Sequence, residues 1–257
     1  MPLLEINNLS KRFGGLKAVS EVTFAVDEGE VVGLIGPNGA GKTTVFNLIT
    51  GIMPADSGTI MFLSKDLVGY APHDVAREGI ARTFQNIRLF KNMTVLDNVR
   101  AAFHCRLKYG MVQAAIHGKA YSAAERQVSE QAEETLSRMG LLDKADQLAA
   151  NLPYGSQRRL EIARALALSP RLLLLDEPAA GMNPNEIVSL LELIRSVRSE
   201  FKVTILLIEH QMGLVMRLCE RIVVMDFGQV IAQGLPHEIR ANPSVLEAYL
   251  GRGAAAS

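Results

Sequence analysis

Nine consecutive residues, Gly36-Pro37-Asn38-Gly39-Ala40-Gly41-Lys42-Thr43-Thr44, carry the pattern G-x-x-x-x-G-K-[ST]. The chemistry of that spacing is the capture of a phosphate chain. Its glycines let the backbone turn so that successive N–H groups point inward, Lys42 can reach the outer phosphates, and the Thr43 hydroxyl can sit on Mg²⁺. The flanks have the order such a cradle requires: Glu30 to Gly36 reads as a buried strand and Lys42 to Ile49 as a helix. The phosphates then lie on a helix N-terminus, where unpaired amides and the helix dipole favour anions.

Other residues able to act on a phosphate stand far along the chain. Arg171-Leu-Leu-Leu-Leu-Asp-Glu-Pro178 places four leucines before two carboxylates. A continuous apolar run suits a central parallel strand buried on both faces, so Asp176 and Glu177 emerge at its carboxyl end, where ligands bind in open α/β sheets. The strand pattern Val203 to Ile208 ends at Glu209-His210 and delivers His210 to the same kind of edge. A glycine-containing turn, Asn151-Leu-Pro-Tyr-Gly-Ser156, precedes an amphipathic helix with Leu160, Ile162, Ala163 and Leu166 as apolar positions. Its N-terminus is a second place open to an anion. Phe13, in the turn Arg12-Phe-Gly-Gly15 between two strands, is available to stack on a nucleotide base. Gln85 closes a short strand from Ile80 at an edge of the site.

The remaining elements position these groups. Leu3 to Asp27 alternates apolar and polar residues and reads as two antiparallel strands. Gly51 and Pro54 stop the helix after the cradle, and Ser57 to Phe62 resumes a strand. From Thr94 to Leu148 the character is helical, with Val95, Leu96, Val99, Ala102 and Phe103 at helical spacing and a charged stretch from Ser122 to Met139. Inside it, Arg106 to Ala120 reads as a loop or broken helix. A helix from Pro184 to Ser199, another from Met212 to Cys219, and strands Arg221 to Asp226 and Gln229 to Ala232 complete the pattern, before a frayed Gly-Arg-Gly-Ala-Ala-Ala-Ser end.

Composition narrows the function classes. At 257 residues and 48% hydrophobic content the chain can bury a large core. Lys plus Arg and Asp plus Glu are both 27, so nucleic acid is not an expected partner. Cys105 and Cys219 make neither a disulfide framework nor a metal spacing, and His104 and His117 lack a second ligand at i+4. With no basic segment and apolar core at its start, a cytoplasmic location is expected. The longest apolar runs are strand-length against the roughly 20 residues that span a bilayer, so any membrane role is peripheral.

Taken in order, the cradle, Gln85, the glycine turn before a helix, the Leu-Leu-Leu-Leu-Asp-Glu-Pro strand and His210 resemble the ATP-binding subunit of ABC transporters, across essentially the whole chain. Phe-Gly-Gly-Leu near the start, Thr-Phe-Gln-Asn-Ile-Arg-Leu-Phe, Leu-Pro-Tyr-Gly-Ser-Gln-Arg-Arg-Leu-Glu-Ile-Ala-Arg-Ala-Leu, Asp-Glu-Pro-Ala-Ala-Gly-Met-Asn-Pro and Ile-Glu-His look like the Liv-type importers of branched-chain amino acids. The resemblance implies an α/β, RecA-like P-loop core with an antiparallel β subdomain and an inserted α-helical subdomain. Core segments 1–86 and 161–257 then flank a helical segment at 87–160. It implies ATP as substrate and Mg²⁺ as its ion. Gly36 to Thr44 becomes the Walker A loop with Thr43 a magnesium ligand, and Phe13 the ring stacking on adenine. Gln85 is the Q-loop glutamine near Mg²⁺ and the water, and Asp176 the Walker B aspartate. Glu177 is the carboxylate that orients or deprotonates the attacking water, and His210 contacts the γ-phosphate and that glutamate. Lys42, Mg²⁺ and amides hold the charge that develops on the transferred group.

Where the family has Leu-Ser-Gly-Gly-Gln, this chain has Leu152-Pro153-Tyr154-Gly155-Ser156, so the serine hydroxyl is absent at Pro153. Anion contact is then expected from the backbone and dipole of the helix N-terminus at Tyr154, Gly155 and Ser156, with the Ser156 hydroxyl as a candidate donor. The loop after Glu177 ends in Ala180-Gly-Met-Asn183 in place of the usual Asp. Because the signature completes a site on another subunit, the resemblance implies a head-to-tail pair with a second ATPase, a copy or a paralogue. It also implies integral membrane permease subunits, an indirect link to a substrate-binding protein, and a peripheral place on the cytoplasmic face of the inner membrane. Arg88, Leu89 and Phe90 are the expected permease contact. Two alternatives stay open: transport of another cargo such as lipopolysaccharide, urea or amides, and a soluble ABC ATPase without a membrane partner. A GTPase is excluded by the absence of an Asn-Lys-x-Asp motif.

Overall fold

The computed structural model describes residues 2–104 and 119–250. Cys105, His117 and nearly all of the segment expected as a loop or broken helix lie outside the described residues, as does the expected frayed end. Two compact units form, one from the residues up to Arg82 together with those from Arg171 on, the other from Thr83–Pro170.

In the first unit the run Val-Val-Gly-Leu-Ile forms β3 (Val31–Ile35), buried at every residue. It pairs in parallel with β8 (Thr204–Ile208) on one side and β9 (Arg221–Asp226) on the other. β7 (Leu172–Asp176) lies between β8 and β6 (Ile80–Arg82), parallel to both, and β10 (Gln229–Gly234) closes the far edge against β9. Leu172 to Leu175 are at most 1% exposed. Each such leucine contributes about 1.5–3 kcal/mol of apolar burial, which is why a four-leucine run takes an interior position. A second sheet, antiparallel, orders β2 (Leu16–Asp27), β1 (Pro2–Phe13), β4 (Ser57–Phe62) and β5 (Lys65–Asp66). Helices α1 (Lys42–Ile49), α2 (Pro72–Glu78), α6 (Pro184–Phe201), α7 (Met212–Leu218), α8 (Pro236–Ala241) and α9 (Pro243–Leu250) also belong to this unit. α6 starts on a capping box in which Asn183 accepts from the Asn185 and Glu186 amides while Glu186 accepts from the Asn183 amide.

The second unit holds α3 (Val95–His104), α4 (Lys119–Arg138) and α5 (Tyr154–Leu166), with α3 packed on both of the others. No helix among the described residues is long and apolar enough to cross a membrane.

Three local expectations are corrected. The strand expected to reach Gln85 stops at Arg82, the last residue paired with β7; beyond it the Phe84 amide donates to the Glu161 carboxylate instead of to a neighbouring strand. Gly155 does not lie in a turn before the helix: α5 begins at Tyr154, with Pro153 in the extended conformation as its N-cap. Cys219 closes α7 as its C-cap and is buried, and desolvation, with Glu209 and Glu220 adding to it, pushes its thiol up to about 12.

The backbone between β3 and α1 requires glycine. Gly41 caps α1 in the left-handed region at φ +100, and a Cβ there would lie 2.4 Å from the Ala18 carbonyl oxygen. Gly41→Ala should therefore distort the loop, at a strain of roughly 1–3 kcal/mol. The expected result is ATP binding weakened by about ten- to a hundredfold by fluorescent-nucleotide titration, with the circular-dichroism spectrum retained.

Candidate active site

The cradle is built where β3 ends. Gly36 (φ +147) turns the chain under Met225, whose carbonyl oxygen would be 2.0 Å from any added Cβ. The Gly228 amide donates to the Ala40 carbonyl at 3.1 Å and ties the loop to the β9–β10 turn. α1 has no side-chain cap, so the amides of its first turn point out of the helix unclaimed by a capping side chain. Lys42 is buried, and its Nζ donates to the Gly36 and Pro37 carbonyls at 2.7 and 2.9 Å. Burial lowers the pKa of that ammonium, opposed by the charges of Glu177 and Asp176.

A cavity of about 540 Å³ opens in front of these amides. Its lining joins Asn38, Gly39 and Gly41 to Thr44 of the cradle with Leu16, Lys17, Phe227, Glu177 and His210. Glu177 leaves β7 in the left-handed region at φ +46, its amide donating to the Ile208 carbonyl at 2.9 Å. Its Oε1 lies 2.6 Å from His210 Nε2. A carboxylate joined to an imidazole, facing a lysine and a helix N-terminus, can accept a proton from water while the opposite wall holds the negative charge of a phosphate.

Asp176, buried at the end of β7, is paired with Arg82 (Nη2–Oδ2 2.6 Å); Arg82 also donates to Asn47 Oδ1 at 2.7 Å and lies 5.4 Å from the Phe46 ring. The first unit thus brings together Gly36 to Thr44, Asp176, Glu177 and His210. Phe13 stands apart from the cavity lining: it ends β1 opposite Leu16 across the Gly14–Gly15 turn and is 45% exposed.

Gln85, Tyr154, Gly155 and Ser156 belong to the second unit. Arg158, fully buried, donates to the Phe84 and Gln85 carbonyls at 2.9 and 3.1 Å and pairs with Glu161 at 2.6 Å. Burial raises the Glu161 carboxyl, opposed by Arg158. Tyr154, Gly155 and Ser156 are the first three residues of α5, which has no side-chain cap, and a Cβ on Gly155 would meet nothing within 4 Å. The segment after Gln85 is held from inside: the buried Asn98 side chain accepts from the Phe90 amide and donates to its carbonyl, both at 3.0 Å. Sequence reasoning missed Arg82, Arg158, Glu161 and Asn98, because a charged or amide side chain reads as solvated until its partner is known.

The family model for ABC transporters matches residues 19–180, and that for the branched-chain amino acid ATP-binding cassette transporter matches 229–255. The chain is 49% identical over 250 residues to the high-affinity branched-chain amino acid transport ATP-binding protein LivG of Salmonella typhimurium, covering 97% of this chain and 98% of LivG. It is 48% identical, with the same coverage, to the corresponding protein BraF of Pseudomonas aeruginosa. A crystal structure of the ADP conformation of an ATP-binding cassette of an ABC transporter superposes with a TM-score of 0.85 at 33% identity, covering 98% of this chain and 100% of that one. The first match spans both the phosphate cradle and the carboxylates that face it, and the relatives align along nearly their whole length. The chain therefore belongs to the ABC transporter family, as one of its ATP-binding, ATP-hydrolysing subunits.

Proposed function

We propose that this chain is the motor of an importer for branched-chain amino acids, bound peripherally to permease subunits on the cytoplasmic face of the inner membrane. The observation that carries the cargo is the 48–49% identity to LivG and BraF along nearly the whole chain, joined by the C-terminal match at 229–255.

In this reading ATP lies along the cradle, Lys42 and the α1 amides take the outer phosphates, and Phe13, paired with the cavity-lining Leu16, stacks on the base. Mg²⁺ prefers oxygen ligands and keeps waters and phosphates instead of an all-protein cage. The Thr43 hydroxyl and the Asp176 carboxylate are such oxygens. Among the described residues no three His, Cys, Asp or Glu side chains converge on one point, so the set fits an ion that arrives with the nucleotide. Thr43 and Asp176 would hold it, and it would supply charge neutralisation on the phosphates. Glu177 orients the attacking water and takes its proton, and His210, 2.6 Å away, fixes the carboxylate and stabilises the γ-phosphate.

The uncapped start of α5 supports a head-to-tail pair. Open space at Gly155 lets a second subunit's nucleotide approach the Tyr154, Gly155 and Ser156 amides. The partner is a second copy or a paralogous ATPase. ATP closes the pair and hydrolysis with product release opens it, and the permease follows as a population shift. Phe90, 49% exposed with the Arg164 guanidinium 4.6 Å from its ring, is the proposed permease contact, and a substrate-binding protein acts on the far side.

Two measurements test this. Glu177→Gln should keep ATP affinity within about threefold and lower phosphate release by at least about a hundredfold, the span of general-base catalysis; unchanged turnover refutes the role. Phe90→Ala, in the complete transporter reconstituted in liposomes, should cut leucine uptake by about tenfold, as loss of an interface anchor does, with ATP binding by the isolated subunit within about twofold. Parallel loss of both would count against Phe90 as a docking residue, and wild-type vesicles that take up no branched-chain amino acid would remove the cargo assignment.

A further inference from the structure

We propose that Glu209 is a positioning residue for hydrolysis, its buried carboxylate locking the loop that carries Glu177 to the loop that carries His210. The inference rests on the hydrolytic role assigned to that pair.

Glu209 is only 2% exposed although it follows directly on β8. Its Oε1 accepts from the Ala179 amide at 2.8 Å, and its Oε2 accepts from the amides of His210 and Gln211 at 3.0 and 3.2 Å. A carboxylate taken out of water is costly unless its oxygens are hydrogen-bonded, and bonds to an ionised acceptor are about twice as strong as neutral ones. Here the compensation comes from main-chain amides of two separate loops, so the bonds that make the burial tolerable also tie the loops together. Gln211 adds to the tie by donating from Nε2 to the Ala179 carbonyl at 3.4 Å. Ala179 is thus gripped at both its amide and its carbonyl by side chains two residues apart in the other loop.

That grip bears on the chemistry because Glu177 lies two residues before Ala179. Its backbone is in the left-handed region at φ +46, which a non-glycine residue keeps only when its surroundings impose it. The Glu177 amide bond to Ile208 fixes one end of the short loop, and Glu209 fixes the other. Together they hold the Glu177 carboxylate 2.6 Å from His210 Nε2. Glu209 lies outside the cavity lining, so it acts through geometry and not by contact with substrate.

Glu209→Gln is the test, being isosteric but placing an NH₂ where one of the two loops presents an amide donor. The variant is compared with wild type by steady-state ATPase in the complete transporter and by amide hydrogen exchange on the full chain. The expected result is a kcat about ten- to a hundredfold lower, the cost of misplacing a catalytic group by about an ångström, with KM for ATP within about threefold. Exchange at Ala179 or His210 should be at least about tenfold faster. Gln211→Met, which removes the longer bond alone, should show the same pattern at a few-fold magnitude, and it carries the test if Glu209→Gln does not fold. Full turnover per folded molecule in either soluble variant, with exchange at Ala179 accelerated, overturns the positioning role. Unchanged exchange overturns the lock itself. If the wild-type subunit hydrolyses no ATP within the complete transporter, the hydrolytic reading fails, while the exchange arm still decides whether the loops are locked.

Discussion

Parallel pairing in register is the constraint on which the site depends. Ile208 of β8 pairs with Leu34 of β3 on one side and with Asp176 of β7 on the other. Three buried strands therefore run out at one level, and whatever follows each in sequence is delivered to one edge: the glycine turn after Ile35, Glu177 after Asp176, and Glu209-His210 after Ile208. Strand side chains alternate between faces, so a slip of one residue in β7 or β8 would turn the carboxylates or the imidazole away. The level is held where the apolar run ends: a slip of β7 would draw the exposed Arg171 into a strand buried at every residue.

Polar groups inside the protein are placed at joints between elements. Arg82 ties β6 to Asp176 and to α1, Arg158 and Glu161 tie α5 to the backbone at Phe84 and Gln85, and Asn98 ties α3 to Phe90. Buried ion pairs are weak arguments for net stability, since desolvation offsets much of their attraction. What they do supply is direction: a guanidinium with two carbonyls and a carboxylate in reach has one satisfactory orientation, and its neighbours inherit it.

The sequence made legible the elements that a long run of short-range pattern marks. The cradle, its helix Lys42–Ile49, the strands Ser57–Phe62 and Arg221–Asp226 and the carboxylates after Leu175 follow from periodicity, glycine placement and apolar runs. Elements set by tertiary contact were not legible. β5 is two residues long and exists because Lys65 and Asp66 meet Phe62 and Met61 across a tight turn. α2, α8 and α9 passed unread although each opens on a proline, Pro72, Pro236 and Pro243, a start signal that about two turns of periodicity were too short to reinforce. The position of α5 relative to Gly155 turned on Pro153, whose fixed φ suits an N-cap as well as a turn.

Lys42 offers a last consequence. Its ammonium is solvated by two carbonyls of its own loop, inside a wall that water reaches poorly. A phosphate entering the cradle does not meet a bare cation; Gly36 and Pro37 already engage two of its three protons. The free energy gained is the attraction of the phosphate charge less the carbonyl hydrogen bonds that it displaces, so the grip is weaker than that on a bare ammonium. For a machine that must let go of its spent nucleotide on every stroke, such a lysine sets the ease of release as much as the strength of capture.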